Sequence, residues 1–195
     1  MGQAAPALLP ALRSVAQARV LTRLLLAPEV TWTVPALAEA ADVSQPTASR
    51  EVRRLKQTGV VTVDGDRNLR SVAVDTNALL YPELAGLVLK AFGPAAVLGP
   101  ELAAVDGVEA AWVFGSWVRR YLGDPGSSPS DIDLLVVGRP DMDELADAVT
   151  RAGSRLGRPV GLSFLAPGEW EDPRDGFVRD VRDDARVPVA RVSGP

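Results

Sequence analysis

Two residue types are missing from this sequence: its 195 residues include no cysteine and no histidine. Without cysteine there is no disulfide, no thiolate metal site and no thiol nucleophile. Without histidine, a Ser-His-Asp triad, an imidazole general base and a His-ligated zinc are excluded. Any metal held by these side chains must be a hard cation bound through oxygen, such as magnesium. Lysine is scarce as well. Lys56 and Lys90 are the only two, and every other basic residue is arginine. No uncharged apolar run approaches the ~18 residues that a membrane span requires. The opening "MGQAAPALLPALRSVAQARV" lacks the basic-then-apolar layout of a secretory leader, so the expected location is the cytoplasm.

What is present suits a folded chain. Hydrophobic residues make up 47% and charged residues 24%, and the length allows one large domain or two small ones. Charge is unevenly divided. Residues 1–92 carry a formal +2 and residues 93–195 a formal −6, which together give the chain's −4. Halves of opposite sign point to two domains with different partners.

In the first half, residues 10–26 read as a helix. Val15, Ala18, Leu21, Leu25 and Leu26 share one stripe, while Arg13, Arg19 and Arg23 lie mostly off it. "TWTV" (31–34) suits a short strand. Pro35 opens a second helix, because proline at the first helical position loses no hydrogen bond. Asp42 and Val43 make a turn. Ser44 is a good N-cap for a third helix that ends at Gly59. "VVTVD" and "LRSVAVD" then form a hairpin around "GDRN".

Helix, tight turn, helix, glycine, hairpin is the order of a winged helix-turn-helix. The segment "LAEAADVSQPTASREVRRLKQTGVV" resembles the ArsR-like and MarR-like winged-helix regulators, and the resemblance extends over about residues 10–75. It implies a DNA-binding transcription regulator, acting as a homodimer on double-stranded DNA. Its recognition helix would present Gln45, Pro46, Thr47 and Ser49 at the amino-terminal end. The wheel agrees: Ala48, Val52 and Leu55 face inward, and Arg50, Arg53 and Arg54 cluster opposite. Guanidinium groups suit phosphates and guanine edges. Arg67 and Arg70 in the hairpin are placed to reach the flanking backbone. The metal- and thiol-sensing sites of that family do not carry over, since they need Cys or His.

After the hairpin, residues 76–81 read as a loop and 82–92 as a helix with Leu84, Leu87, Val88 and Ala91 on its apolar stripe. That stripe and the first helix are the expected dimer contacts. The prolines of "GPAAVLGPEL" mark a domain boundary.

In the second half, "VEAAWVFGSWVRRYL" reads as a strand (108–114), a turn at Gly115-Ser116 and a short helix. Further on, "SPSDIDLLVV" puts two acids at the head of an apolar strand. Side chains at i and i+2 share a face, so the carboxylates of Asp131 and Asp133 repel unless a cation lies between them. Apolar strand, Gly-Ser, short helix, loop and Asp-x-Asp strand together resemble the polymerase-β-like nucleotidyltransferases, especially the minimal bacterial members, over about residues 94–166. The resemblance implies that Asp131 and Asp133 hold Mg²⁺ carrying a nucleoside triphosphate. It also implies that Gly115 and Ser116 hold its phosphates and that Arg119 assists.

The pattern departs from that family at its third carboxylate. After a helix over 143–157, the next strand is "RPVGLSFLA" (158–166), and the expected acid falls at Gly161, with Ser163 the next position on that face. Neither can act as a base, which costs about 10²–10⁴ in rate. Glu169 and Glu171 are the nearest substitutes. In the tail, Trp170, Phe177, Val178 and Val181 suit packing, with no separate chemistry.

The expected architecture is thus α/β with two domains: a winged helix-turn-helix with a linker helix over 1–92, then a small mixed-sheet nucleotidyltransferase-like domain over 93–195. Three functions stay open. One is a regulator whose degenerate second domain senses Mg-nucleotide. Another is a working transferase acting on a protein or small molecule. The third is the antitoxin of a HEPN-type toxin.

Overall fold

The computed structural model describes residues 14–65, 70–124 and 127–191. The chain divides into two compact units, Met1–Phe92 with Pro125–Ser128, and Gly93–Asp124 with Pro129–Pro195.

In the first unit, α1 (Val15–Leu25) starts where Ser14 Oγ accepts the Gln17 N–H at 3.2 Å. Strand β1 (Trp32–Thr33) is shorter than expected because Val34 already belongs to α2 (Val34–Ala40). Thr33 Oγ1 accepts the Ala36 N–H, and Pro35 occupies the first turn at no cost in hydrogen bonds. The turn into α3 (Gln45–Gln57) runs through Asp42 at φ 50°. A non-glycine residue there needs support. Arg19 Nη1 supplies it, donating to the Asp42 carbonyl at 3.0 Å and pairing with Oδ2 at 2.6 Å.

Ser44 stands at the N-cap of α3, but its Oγ lies 3.0 Å from Thr47 Oγ1 instead of capping a backbone N–H. Strands β2 (Val61–Asp64) and β3 (Ser71–Val74) pair antiparallel, and β1 adds to β3, giving the order β1-β3-β2. Residues 66–69, which include Arg67 and most of the expected "GDRN" turn, lie outside the described residues.

One core closes this unit: Val20, Leu24, Leu37, Ala41, Val52, Val61 and Val72 pack together. Truncating a fully buried member such as Leu24 to Ala costs about 2–5 kcal/mol. Helix α4 (Tyr81–Phe92) buries Tyr81, Ala85, Val88, Leu89 and Ala91. The expected stripe is only partly that one: Val88 and Ala91 are inside, whereas Leu87 is 45% exposed.

In the second unit, the proline-rich "GPAAVLGPEL" is a helix, α5 (Pro94–Leu102), where sequence pattern suggested only a boundary. Pro94 sits in the first turn, where its missing N–H has no intrahelical partner, and Pro100 lies near the C-terminal end. The stretch Tyr81–Leu102 is long and apolar enough to cross a membrane by length and composition alone. The core helices of globular domains pass the same test.

Strand β4 (Val108–Phe114), α6 (Ser116–Tyr121), β5 (Ile132–Gly138), α7 (Met142–Leu156) and β6 (Val160–Leu165) follow. The tail, to which no sequence pattern assigns elements, adds α8 (Pro167–Glu171), α9 (Gly176–Asp183) and β7 (Val187–Arg191). The sheet order is β6-β5-β4-β7. Strand β4 runs antiparallel to both β5 and β7, and β6 runs parallel to β5.

Strand β5 is buried on both faces: Ile132, Leu134, Leu135, Val136 and Val137 are each at most 3% exposed. A central strand flanked by neighbours reads as a continuous apolar run for this reason. Trp112 stacks on Trp170 with centroids 4.6 Å apart, and Phe114 meets Phe177 edge-on at 5.7 Å. These contacts, with Val178 and Val181 buried, fix the tail against the sheet. Glu101 ties α5 to α7 through Arg151 Nε and Arg155 Nη1, each at 2.9 Å. These guanidinium groups hold its carboxyl below the usual range, against the opposing effect of burial.

Candidate functional sites

The first site is the outward face of α3. Gln45, Pro46, Arg50 and Arg53 are exposed, and Thr47 and Ser49 are half-buried beside them. At 100° per residue, positions 46, 49, 50 and 53 share one face, while Ala48 and Val52 point into the core. Arg50 Nη2 approaches Thr47 Oγ1 at 3.4 Å. Arg53 has no ion pair among the described residues, which leaves its guanidinium directed at solvent.

Arg54 behaves differently. Its Nη1 lies 2.7 Å from Glu51 Oε1, and Arg50 Nε stands 3.8 Å from the same oxygen. The sequence alone does not single out Glu51, although Glu and Arg three apart on a helix are neighbours. Glu51 and Arg54 border a cleft of about 370 Å³ between α1 and α3, together with Gln17, Leu21, Leu55, Gln57 and Thr58. Arg70 is exposed just before β3.

The second site is the adjoining ends of β4 and β5. Phe114 pairs with Asp133, so the turn at Gly115 comes directly beside that aspartate. Gly115 has φ 68° and ψ −139°, which L side chains rarely adopt. A Cβ there would stand 2.5 Å from Asp133 Oδ2. Glycine is therefore required twice, by the backbone angle and by the approach of the carboxylate. Ser116 opens α6 immediately afterwards, and Arg119 is exposed on its last turn.

Asp133 is half-buried, and its pKa is raised, first by burial and then by the neighbouring charge of Asp131. The two acids are thus electrostatically coupled, as their spacing requires. Asp131 is exposed, and Ser130 Oγ donates to its Oδ1 at 3.0 Å. The loop that carries it is held from behind. Trp117 Nε1 donates to the Asp131 carbonyl at 2.8 Å, Arg158 Nη1 donates to the Pro129 carbonyl, and the Arg158 guanidinium lies 5.7 Å from the Trp117 ring centroid. No sequence pattern marks Trp117 or Arg158, because such a support becomes visible only once α6 and the start of β6 meet.

Gly161 pairs with Asp133, and Ser163 with Leu135, along the parallel β5–β6 ladder. Among the described residues no group of three or more acids could hold a metal ion. Glu169 Oε2 accepts the Ala166 N–H at 2.8 Å and is engaged in capping α8. Glu171 is exposed at the end of that helix. Two carboxylates fit a hard cation in chemistry, with oxygen donors and a repulsion that a cation would remove, but they form an incomplete ligand set.

Comparison with known proteins bears on the first unit. Residues 16–64, from α1 through β2, match the family model of a helix-turn-helix domain. The match supports a DNA-binding regulator. The chain is at this level a helix-turn-helix domain followed by a mixed α/β region. No curated protein matches it.

Proposed function

We propose that the chain is a transcription regulator of the ArsR-like winged-helix kind whose second unit is a nucleotidyltransferase-like domain that senses Mg-nucleotide without efficient turnover. The outward face of α3, with Arg50 and Arg53 exposed in a segment matching a helix-turn-helix domain, carries the DNA-binding part. In this reading Gln45, Thr47 and Ser49 meet base edges, and Arg50, Arg53, Arg67 and Arg70 serve phosphates or guanine, while Arg54, also on this helix, is turned to Glu51.

The closeness of Asp133 to Gly115 carries the second part. Asp131 and Asp133 would hold magnesium, which supplies charge neutralisation for a triphosphate. Gly115 and the free N–H groups at the start of α6 would face the phosphates, with Ser116 and Arg119 beside them. Gly161 offers no carboxylate opposite Asp133, and Glu169 is occupied elsewhere. In this reading the pair binds and orients a nucleotide, and neither Gly161 nor the engaged Glu169 stands ready as a base for an incoming hydroxyl, which favours sensing over transfer.

The active form is a homodimer, through α1 and the exposed Leu79, Leu80 and Leu87 around α4. Two-fold symmetry matches two half-sites. A monomer by light scattering at micromolar concentration, with and without DNA, would remove the dimer.

The test of the whole reading is calorimetric titration with ATP and with GTP in the presence of magnesium, joined to a DNA-binding assay. Saturable binding that shifts DNA affinity is expected. Transfer of label from α-labelled nucleotide to any acceptor would make the protein an enzyme instead.

A further inference from the structure

Among the described residues, Glu51 is the one charged side chain that is buried, at 4% exposure. It sits in the middle of α3, between the exposed Arg50 and Arg53 in the chain. Packing alone does not call for a carboxylate there, since burying a charge is costly unless it is paired. The pairing is supplied by the recognition helix itself. Arg54 Nη1 is 2.7 Å from Oε1, and Arg50 Nε is 3.8 Å from it.

The helical geometry makes the consequence specific. Arg54 follows Arg53 by 100° around the axis and stands on the flank between the outer face and Glu51. Its guanidinium is turned to Glu51, and its side chain is only 42% exposed, against 56% for Arg50. Of the three arginines on α3, Arg53 alone has no carboxylate partner among the described residues.

We infer that Glu51 is a specificity-determining residue of the DNA interface: it withholds Arg54 from phosphate binding and steers Arg50, limiting sequence-independent affinity. Each arginine released to a phosphate would add counterion release, which strengthens binding to any sequence alike. A carboxylate inside the recognition helix therefore lowers background binding without touching the residues that read bases. This inference rests on the DNA-binding reading of α3 and is independent of the second unit.

The experiment needs no operator. Affinity for a short random-sequence duplex is measured across a salt series for wild type, Glu51→Gln, Arg54→Gln and the double variant. Glu51→Gln should steepen the slope of log K against log salt by about 0.9 and bind about five- to tenfold tighter near 0.1 M salt. Arg54→Gln alone should leave the slope unchanged, and the double variant should return to the wild-type slope.

A purely structural role for Glu51 would lower the melting temperature without steepening the slope, and that result overturns the inference. So does a flattened slope in Arg54→Gln alone, since Arg54 would then already be on a phosphate. If Glu51→Gln does not fold, Arg54→Gln decides by itself. Failure of wild type to bind any duplex, or an unchanged slope in Arg50→Ala with Arg53→Ala, removes the DNA-binding reading. Binding with equal slopes in wild type and Glu51→Gln removes only the role of Glu51.

Discussion

Asp133 and Gly161 are partners in the parallel ladder of β5 and β6. The residue facing Asp133 across that ladder therefore has no side chain. A Cβ built on Gly161 meets nothing nearer than the Ile132 carbonyl oxygen at 3.8 Å, an ordinary contact. Gly161→Asp should thus fold, with stability changed by less than about 1 kcal/mol. It should bind Mg²⁺ about tenfold tighter than wild type, because added ligand charge raises cation affinity. Titration calorimetry with magnesium alone checks this. Unchanged affinity would place the metal elsewhere or nowhere.

Asp131→Asn with Asp133→Asn should abolish Mg-nucleotide binding while the fold survives. The pH dependence of Asp133 is separable. Its folded pKa lies above the unfolded one, so the folded state binds the proton more tightly. Stability contributed by this group is present at low pH and lost as pH rises through the folded pKa. Asp133→Asn should therefore be stabilising at neutral pH, with the advantage shrinking as pH falls toward the unfolded carboxylate value. Thermal melts of both proteins between acid and neutral pH measure it, and a constant difference would contradict the sign.

Arg50→Ala with Arg53→Ala should weaken duplex binding and flatten its salt slope by about 2 units, one for each phosphate no longer neutralised. A gel-shift salt series reads the effect. Melting temperature should barely move, because both side chains are exposed.

Tyr121 joins α6 to the start of α5: its phenolic oxygen accepts the Ala95 N–H at 3.0 Å. Burial pushes this phenol up to about 12. Ultraviolet titration should show one tyrosine ionising near that value, and Tyr121→Phe should remove the transition. The variant leaves an N–H of the first turn of α5 without its acceptor, at a cost of about 1–2 kcal/mol in a denaturant melt. An unchanged midpoint would mean that water replaces the phenol.

A second measure of the Asp133 site is steric. Gly115→Ala meets both a left-handed backbone angle and the Asp133 carboxylate. It should destabilise the second unit by about 1–3 kcal/mol and reduce nucleotide affinity in parallel. The combination Gly115→Ala with Asp133→Gly should recover part of the stability but none of the binding.

Local chemistry determined much of this protein from its sequence alone. Pro35 and Gly59 mark helix ends through groups that act within a few residues of themselves, whereas the start of α1 at Ser14, inside the expected helix 10–26, shows only in the structure. The apolar alternation of β4 and the apolar run of β5 follow from side chains pointing to fixed faces, and the Gly-Ser turn and Asp-x-Asp pair are local patterns as well. The absence of Cys and His restricted the chemistry before any fold was known.

Tertiary structure decided what depends on residues far apart in the chain. Proline-rich residues 94–102 form a helix because Pro94 occupies its first turn and Leu98 and Leu102 are buried. The tail becomes α8, α9 and β7 because Trp170 and Phe177 find Trp112 and Phe114, which no local period announces. Glu51 reads as one more surface charge in "SREVRR" until the fold buries it beside the cleft between α1 and α3, where Arg54 pairs with it at 2.7 Å. The register of β6 on β5 places Gly161 beside Asp133. Register belongs to a pair of strands, so neither strand's sequence contains it alone.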